Sequence, residues 1–405
     1  MAFVIIKIPE IDRGFSLLVR WRGLEPPRLT AHAPQTCLSA YSSTSASRSY
    51  YNRLAFLVKQ NNLRRNRMAR IVVDAMGSDN FPTPDVEGAV LAAREYGVEI
   101  ILVGDEAIIK PVLDRQNTSG LSIRVVHASE MLTMEDKGEK LVLKARSKDA
   151  KNSMAIGINL VKNGEADAFV SMGNTGAGMA NALFRLGRIR GVDRPALAPI
   201  FPTATGTCIV LDIGANPDCK PENLLQFGIL GSIYAEKVRG VTNPKVGLVS
   251  NGEEEGKGNE LVKGATPLFK AAKLNYFGNV EGKEVIGGKV DVAVTDGFTG
   301  NVMLKTSEAV AKLITDKIRE IIKSGGILTK IGGLLVKPAL GAIKKLLDPG
   351  EQGAAPLLGI NGLVFIGHGR SDAFAMKNAI RVAKHAVDVN VLEAMKSAIE
   401  ESLKN

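Results

Sequence analysis

The chain has 405 residues, of which 45% are hydrophobic, so it is long enough to bury the core of one large or two ordinary domains. Its net charge of +10 is uneven: residues 1–67 hold 11 Lys and Arg against 3 Asp and Glu, which leaves +2 for residues 68–405. A nearly neutral body with 5% aromatic residues excludes the basic groove and stacking platforms typical of nucleic-acid-binding proteins.

The three cysteines are odd in number and show no CxxC spacing, which argues against a disulfide framework and against a zinc site. We expect a protein of the reducing cytoplasm that needs neither a metal nor another cofactor. No apolar run reaches the roughly 18 residues that a membrane-spanning helix needs.

Residues 1–67 are rich in Arg, Ser and Thr and poor in acids, and no periodicity in them predicts a helix or a strand. We expect a disordered N-terminal extension outside the fold, to which no function is assigned. Such a leader fits either an organelle transit peptide or an over-long gene model. The second explanation is favoured because Met68 immediately precedes the first strand of a regular pattern.

From Met68 onward, apolar runs alternate with helix-like segments. Strands are predicted at 70–75, 98–103, 123–126, 168–172, 207–213, 245–250, 290–295 and 363–366. Helices are predicted at 83–96, 106–116, 175–189, 221–238, 258–273, 298–323 and 371–403. This alternation predicts an α/β fold for residues 68–405, a three-layer α/β/α sandwich with a mostly parallel, Rossmann-like sheet. The last two helices are long, and we expect one or both to build a homodimer interface.

Polar loops that contain glycine follow five of the predicted strands, at 74–77, 171–176, 212–216, 250–254 and 295–301. Ligands of open parallel sheets bind outside the carboxyl ends of the strands, so we expect these loops to converge on one edge. The loop with Gly173, Asn174, Thr175 and Gly176 runs directly into a helix, where backbone N–H groups form a nest suited to phosphate. It matches neither the P-loop nor the dinucleotide-binding motif, and a tight strand-to-helix turn is the alternative interpretation.

The loop at 295–301 also opens a helix, and it combines a carboxylate, a hydroxyl and an amide in Asp296, Thr299 and Asn301, with Gly300 before the last of them. An amide and backbone donors at the start of a helix can hold an oxyanion. The alternative is that Asp296 or Thr299 only caps the helix.

Two lysines are candidates for holding an anion. Lys257 lies between two glycines at a loop-to-helix junction, where its ammonium group can approach a bound anion, although a charge run is usually a solvated face. Lys220 precedes a helix that starts with proline, and its alternative is an ordinary surface-loop position. His368 lies in a glycine-containing loop and can bind a ligand or cap a helix.

Neither a G-x-S-x-G elbow nor an H-E-x-x-H motif is present, which disfavours a covalent serine enzyme and a metalloprotease. Inorganic phosphate suits such a site, because its second pKa is close to neutrality and the dianion is nucleophilic without a strong general base. The protein then needs to hold phosphate with lysine and N–H groups, place a thioester carbonyl beside it and stabilise the oxyanion.

Six motifs, in order along the chain, resemble those of the PlsX family of phosphate acyltransferases, the fatty acyl-phosphate synthases. They lie at 73–77, 173–176, 193–199, 212–216, 257–261 and 295–301, and the resemblance covers essentially all of residues 68–405. It implies reversible transfer of a fatty acyl group from acyl carrier protein to inorganic phosphate, which gives acyl phosphate for phospholipid synthesis. It also implies a homodimer with a fold similar to phosphotransacetylase and isocitrate dehydrogenase.

The resemblance marks Lys257 and Asn301 as the strongest catalytic candidates, Lys257 for holding phosphate and Asn301 for positioning phosphate or the carbonyl oxygen. The other residues that we expect to bind substrate or phosphate are Asp74, Gly77, Gly173, Asn174, Thr175, Gly176, Asn216, Lys220, Asn259, Asp296, Thr299, Gly300 and His368. The chain departs from the family pattern at Ser78, where a second glycine is expected, and in residues 1–67.

The segment 325–348 predicts two short amphipathic helices on either side of Pro338. Their apolar face holds Ile327, Leu328, Ile331, Leu334, Leu335, Leu340, Ile343, Leu346 and Leu347. Four lysines give a positive polar face that suits anionic lipid headgroups. We expect peripheral membrane contact, because a water-insoluble acyl phosphate must reach a membrane glycerol-phosphate acyltransferase. A hairpin in the dimer core is the alternative.

Two other functions remain open on the sequence alone: a short-chain phosphotransacetylase acting on acetyl-CoA, and a noncatalytic membrane-bound scaffold that binds acyl carrier protein. The apolar segment favours long acyl chains over the first. A surface that binds the acidic carrier should be basic, and Arg185, Arg188 and Arg190, on or just beyond one predicted helix, are candidates for it.

Overall fold

A computed structural model of the chain describes residues 67–133, 135–147 and 149–404, together with two strands, β1 (Phe3–Lys7) and β2 (Ser16–Arg20). The side chains of β1 and β2 and those at 343, 344 and 347 lie outside this description. β1 and β2 pair antiparallel, with Phe3 opposite Arg20, a pairing that the sequence pattern does not predict. The rest of residues 1–66, and with it the predicted disorder, lies outside the described residues.

A second unit spans residues 66–405, and strands alternate with helices along it. Its strands are β3 (Arg70–Asp74), β4 (Glu99–Gly104), β5 (Ile123–His127), β6 (Ala168–Ser171), β7 (Ala196–Leu197), β8 (Ile200–Thr203), β9 (Gly206–Leu211), β10 (Lys245–Val249), β11 (Asn275–Val280), β12 (Val292–Val294), β13 (Ala355–Leu358) and β14 (Val364–Ile366). Its helices are α1 (Thr83–Tyr96), α2 (Glu106–Leu113), α3 (Gly138–Arg146), α4 (Ser153–Lys162), α5 (Thr175–Leu186), α6 (Pro221–Arg239), α7 (Glu260–Ala271), α8 (Gly282–Gly287), α9 (Gly297–Ser324), α10 (Ile327–Leu347), α11 (Pro349–Gln352), α12 (Ala373–Asp388) and α13 (Val391–Ser402).

Seven strands form the larger sheet, in the order β5-β4-β3-β6-β14-β13-β7. The first five are parallel, with Val73 of β3 opposite Leu102 of β4 and Val170 of β6. β13 runs antiparallel to both of its neighbours. The central strands β3 and β6 are almost entirely buried, which explains why they read as continuous apolar runs.

Five strands form a second sheet, in the order β11-β10-β12-β9-β8, in which only the pairing of β8 with β9 is antiparallel. The α/β class and the mostly parallel pairing are thus confirmed, but the prediction of a single sheet is wrong. An apolar run predicts a strand without specifying the strand with which it pairs. The short strands β7, β8, β11 and β13, which lie at or beside the sheet edges, carry no pattern that would mark the division.

Helices cover both faces of the larger sheet. On one face, α4 and α5 pack around the fully buried Phe169. On the other, α1 contributes a buried stripe within residues 86–93 and lies against α12. The two helices approach closely because Gly88 has no side chain: a Cβ there would stand 2.6 Å from Met376 Cβ. This face shares one core with α6, α7 and the second sheet, which completes the predicted α/β/α layering.

Most side chains of the α9–α10 hairpin, residues 297–347, are exposed or only partly buried. In α9 only Gly297 and Gly300 are buried. α10 folds back along α9, with Gly333 against the side chain of Ile322. The prediction of two short helices around Pro338 is wrong, because a single helix continues through that residue. A proline removes only one backbone N–H group, and here the helix continues past it.

The predicted helix at 371–403 is two helices, α12 and α13, which meet at Asn390, a residue with φ of +52°. Both bury apolar residues in the main core, among them Ile380 and Met395. Their apolar faces are therefore used within one chain, in contrast to that of the α9–α10 hairpin.

Candidate active site

The loops after β3 and β6 meet at the carboxyl edge of the larger sheet. Ser171 Oγ donates to Asp74 Oδ2 at 2.7 Å, and the Gly173 N–H donates to Ser171 Oγ at 3.0 Å. Gly77 lies so close that a Cβ on it would stand 2.9 Å from Ser171 Oγ. The predicted residues Asp74, Gly77 and Gly173 thus lie in one cluster. The Asp74 side chain is buried, and its hydrogen bond to Ser171 holds the two loops together.

A second buried carboxyl, Asp85, lies beneath the same loops. Ser78 Oγ donates to Asp85 Oδ2 at 2.6 Å, while Asp85 Oδ1 has no hydrogen-bond partner among the described residues. Burial, reinforced by the charge of Asp74, raises the pKa of Asp85 to about 7. Burial also raises the pKa of Asp74, against the lowering effect of its hydrogen bonds to Ser171 and Ser153. Ser78, the departure from the family pattern, therefore has a structural role as the partner of Asp85.

Replacement of Asp85 by Asn is expected to change how stability depends on pH. A carboxyl with a raised pKa in the folded protein contributes stability that is complete below its ordinary pKa of 3.8 and is lost as pH rises to about 7. The stability of Asp85→Asn relative to the wild type should therefore rise by roughly 1.4 kcal/mol for each pH unit within that window. Urea unfolding at graded pH measures the slope, and the exposed Asp114→Asn serves as control. Equal slopes in wild type and Asp85→Asn would contradict the assignment.

A helix, α5, begins at the position where the sequence predicts an anion nest. Asn174 caps the helix, since its Oδ1 accepts from the Ala177 N–H at 3.0 Å, and its Nδ2 donates to the carbonyl oxygens of Thr133 and Asp136. Both polar atoms of the Asn174 side chain are therefore engaged in hydrogen bonds within the protein. Thr175 and Gly176 are exposed, and the N–H groups of a first helical turn have no partner within the helix, so they are free to face an anion.

The loop after β9 is organised by the buried carboxylate of Asp212. It accepts hydrogen bonds from the N–H groups of Leu197, Ile213 and Asn216, at 3.0, 2.7 and 2.6 Å, and from Asn216 Nδ2 at 3.1 Å. Burial raises the pKa of Asp212, whereas these donors lower it. The carbonyl oxygen of Asn216 accepts from the Gly297 N–H at 2.8 Å, which joins this loop to the start of α9.

The amino terminus of α9 is capped by Asp296, as the alternative interpretation predicts. Asp296 accepts from the N–H and from the Oγ1 of Thr299, both at 2.8 Å. Gly300 packs against the backbone of Asp212. Asn301 is exposed, and its amide lies 3.8 Å from the position of a Cβ built on Gly214, so it faces the loop after β9.

A cavity of about 350 Å³ opens beside this helix start. Its lining residues are Pro217, Asp218, Cys219, Asn259, Leu261, Asp296, Phe298 and Thr299. Asn259 also caps α7, because its Oδ1 accepts from the Val262 N–H at 2.9 Å. Burial raises the pKa of Cys219 to about 11, so its thiol stays protonated at neutral pH. Lys220 is exposed directly after this cavity wall.

The loop that carries Lys257 is fixed through its backbone. The Gly258 N–H donates to Asn251 Oδ1 at 3.0 Å, and Gly258 adopts a φ of +106° that favours glycine. Asn279 Nδ2 donates to the carbonyl oxygens of Glu254 and Lys257, at 3.0 and 3.3 Å. The exposed Lys257 side chain therefore projects from a turn whose backbone is held by hydrogen bonds.

His368 belongs to the edge of the larger sheet, because the neighbouring Gly367 N–H donates to the carbonyl oxygen of Ser171 at 2.9 Å. Its Nε2 lies 3.8 Å from Oε1 of Glu308, a residue in the fourth turn of α9. Burial lowers the pKa of His368, against the raising effect of Glu308. The predicted residues thus form two groups, one at each sheet, and α9 runs from one group to the other.

Comparison with known proteins identifies the family. A model described as fatty acid synthesis protein matches residues 69–394. A phosphate acyltransferase of Pelotomaculum thermopropionicum is 49% identical over 331 residues, which cover 82% of this chain and 95% of that protein. One of Geobacter sulfurreducens is 48% identical over 331 residues, which cover 82% and 94%. The chain belongs to the phosphate acyltransferase family. The resemblance drawn from the ordered motifs is thereby confirmed.

Two solved structures were also matched. The EutD phosphotransacetylase from Staphylococcus aureus gives a TM-score of 0.49 at 17% identity and covers 81% of this chain and 98% of its own. A phosphotransacetylase from Streptococcus pyogenes gives a TM-score of 0.49 at 17% identity, with coverage of 85% and 99%.

Several residues that hold the loops of the candidate site were not predicted from the sequence of this phosphate acyltransferase. Ser171 and Asp212 lie inside the predicted loops, but only their buried hydrogen bonds distinguish them from ordinary polar loop residues. Asp85 and Asn279 lie outside every motif, and no sequence signal marks them. Arg185, a candidate for carrier binding, instead joins helices, because it donates to Asn181 Oδ1 and to the carbonyl oxygen of Ser147 at 3.2 and 2.9 Å.

Proposed function

We propose that the chain transfers a fatty acyl group reversibly from acyl carrier protein to inorganic phosphate, giving acyl phosphate for phospholipid synthesis. Membership of the phosphate acyltransferase family makes it an acyltransferase. The observation that carries the proposal is the set of exposed groups that follow the carboxyl ends of parallel strands: Thr175 and Gly176 at the start of α5, Asn301 in the second turn of α9, and Lys257 on an anchored loop. This arrangement offers donors for an anion and for an oxyanion, and it needs no side-chain nucleophile.

In the proposed reaction, the phosphate dianion is bound between the two groups, by the first-turn N–H groups of α5 on one side and by the ammonium group of Lys257 on the other. A phosphate oxygen attacks the thioester carbonyl carbon and forms a tetrahedral intermediate. The amide of Asn301 and the start of α9 stabilise the oxyanion. When the intermediate collapses, the C–S bond breaks, the acyl group stays on phosphate and the carrier thiolate leaves and takes up a proton from water.

The proposal is tested by the phosphate-dependent release of carrier thiol from acyl carrier protein that bears acyl groups of graded length. We expect product with long chains and almost none with acetyl groups. Preference for acetyl-CoA would support the short-chain phosphotransacetylase instead. Binding of the carrier without release of thiol at any chain length would support the noncatalytic scaffold. The same assay, applied to the full chain and to residues 68–405 alone, tests whether residues 68–405 form the complete acyltransferase domain.

We further propose that the α9–α10 hairpin makes peripheral contact with anionic membranes at the cytoplasmic side, where acyl phosphate passes to a glycerol-phosphate acyltransferase. Support comes from the exposed fractions of the apolar side chains on α10. These are Ile327 78%, Leu328 85%, Ile331 51%, Leu334 69% and Leu335 76%. Of the earlier pattern, the side chains of Ile343, Lys344 and Leu347 lie outside the described residues. No helix in the described ranges is long and apolar enough to cross a bilayer.

The double variant Leu334→Glu and Leu335→Glu is expected to lose binding to anionic vesicles while it keeps its melting temperature, because both side chains are exposed and contribute little to the core. Vesicle sedimentation measures binding. Ile286→Glu, an equally apolar but distant change on the exposed surface of α8, serves as control. Retained sedimentation of the double variant would rule out this contact surface.

A homodimer interface on α9 is the second proposal for the hairpin. Its support is a row of exposed apolar residues on α9, namely Val310, Leu313, Ile314, Ile318 and Ile321. A face of this kind in a soluble protein usually meets a partner. Light scattering of the Leu313→Glu and Ile314→Glu double variant tests it, and a mass equal to that of an unaltered wild-type dimer would exclude this face.

A further inference from the structure

Helix α3 presents an apolar face that the fold leaves uncovered. Leu141 and Ala145 point inward and are buried, whereas Val142 and Leu143 are 42% and 63% exposed. Phe184 on the neighbouring helix α5 is 44% exposed. The sequence pattern predicts no helix at this position, and the candidate active site does not use these residues.

The position of α3 relative to the anion nest follows from hydrogen bonds at its two ends. Just before α3, the carbonyl oxygens of Thr133 and Asp136 accept from Asn174 Nδ2, at the amino terminus of α5. Just after it, the carbonyl oxygen of Ser147 accepts from Arg185, at the carboxyl terminus of α5. The two helices therefore run side by side in the same direction, so the exposed face of α3 begins beside the nest.

Basic residues outnumber acidic ones on this face, and Glu139 is the neighbour of Val142 and Leu143 on the helix surface. The exposed basic residues on α3 and its flanks are Lys137, Lys140, Lys144, Arg146 and Lys151. Lys144 also pairs with the buried Asp136 at 2.7 Å. Glu139 is the acidic residue within α3, and Glu135 and Asp149 lie exposed on its flanks. The balance on the helix is positive, which complements an acidic partner with a few apolar contacts at its centre.

We propose that the α3 face, defined as Val142, Leu143, Phe184 and the basic residues on α3 and its flanks, docks the acidic surface of acyl carrier protein. This inference rests on the proposed function. Docking at Phe184 places the carrier nine residues, or about 14 Å, along α5 from Thr175, a distance that its thioester-bearing arm spans to reach the phosphate. The apolar centre supplies close packing, and the basic residues steer the acidic carrier during encounter.

The test compares two thioester donors in the same full-length protein: long-chain acyl carrier protein, and the same acyl group on N-acetylcysteamine, which has no carrier. In the Lys140→Glu and Arg146→Glu double variant, KM for the acyl carrier should rise by roughly tenfold or more, with kcat and the carrier-free reaction unchanged. The Leu143→Asp variant should show the same rise in KM for the acyl carrier and the same unchanged carrier-free reaction. Lys162→Glu, at an exposed lysine at the carboxyl end of α4, is the control for a charge reversal on another helix.

An unchanged KM for the acyl carrier, or equal losses with both donors, would overturn the α3 docking surface. A change in oligomeric mass by light scattering would assign the face to a second copy of the chain, and loss of vesicle binding would assign it to the membrane. If the wild type shows no phosphate-dependent thiol release with either donor, the proposed function itself fails. The charge variant keeps the test decisive even if Leu143→Asp does not fold, because its altered side chains are exposed.

Discussion

Removal of the Lys257 ammonium group by Lys257→Ala is expected to lower kcat/KM for phosphate by about 100-fold or more, because loss of a preorganised charge at the reacting group typically costs that much. The loss should appear with every acyl donor, since the substitution acts on phosphate. Steady-state thiol release at graded phosphate concentrations measures it. Structural damage should be small, because the turn is held through the carbonyl oxygen of residue 257 and through Gly258, which the substitution leaves in place.

Lys245→Ala is the matched control for this experiment. Lys245 is an exposed lysine at the amino end of β10, whereas Lys257 lies in the loop that follows the carboxyl end of the same strand. The control should keep wild-type kinetics. A Lys257→Ala protein with kcat/KM within threefold of the wild type would remove Lys257 from the phosphate site.

Gly300→Ala is expected to destabilise the protein by roughly 3 kcal/mol or more and to abolish most activity. A Cβ at this position would collide with the carbonyl oxygen of Asp212, and neither backbone can move aside without disturbing a buried hydrogen-bond network. Any outward shift of the first turn of α9 also displaces Asn301. Thermal unfolding and turnover measure the two effects.

Gly282→Ala is the control for steric crowding, because Gly282 also lies in the first turn of a helix and a Cβ there would meet no atom within 4 Å. It should change the melting temperature by no more than a degree or two. Wild-type stability of Gly300→Ala would mean that the start of α9 is not clamped by Asp212.

Strands β7, β8, β11 and β13 and helices α3, α4, α8 and α11 were not predicted, whereas the other eight strands of the second unit and the helices beside them were predictable because each carries its own period, 2 or 3.6 residues, in local sequence. The starts of α5 at Thr175 and of α9 at Gly297 were predictable because glycine and polar residues directly follow apolar strands there. A site feature made of residues adjacent in the chain can be predicted from a single sequence. For this reason, the two loops on which the proposed function depends were predicted.

The division into two sheets was not predictable, because pairing between β9 and β12 joins residues about 80 positions apart and leaves no local signature. The same reason hides Asp212, whose role rests on the Leu197 N–H in another strand, and Asp85, whose neighbour Asp74 lies on a different element. Electrostatic roles of buried carboxyls arise from three-dimensional proximity alone. The helical break at Asn390 was not predictable, because a single asparagine with positive φ leaves the spacing of the apolar residues on both sides unchanged.

Helix α9 begins beside Asn301 and continues without interruption for 28 residues, a length of about 42 Å, to the turn that leads into α10. A hydrogen-bonded helix is stiff along its axis, so Asn301 and the distant apolar tip lie near the two ends of one rigid rod. In the proposed function, contact of the tip with a bilayer or with a second copy would therefore also constrain the direction of the Asn301 amide. Anchorage and catalytic alignment would then be coupled through this one helix.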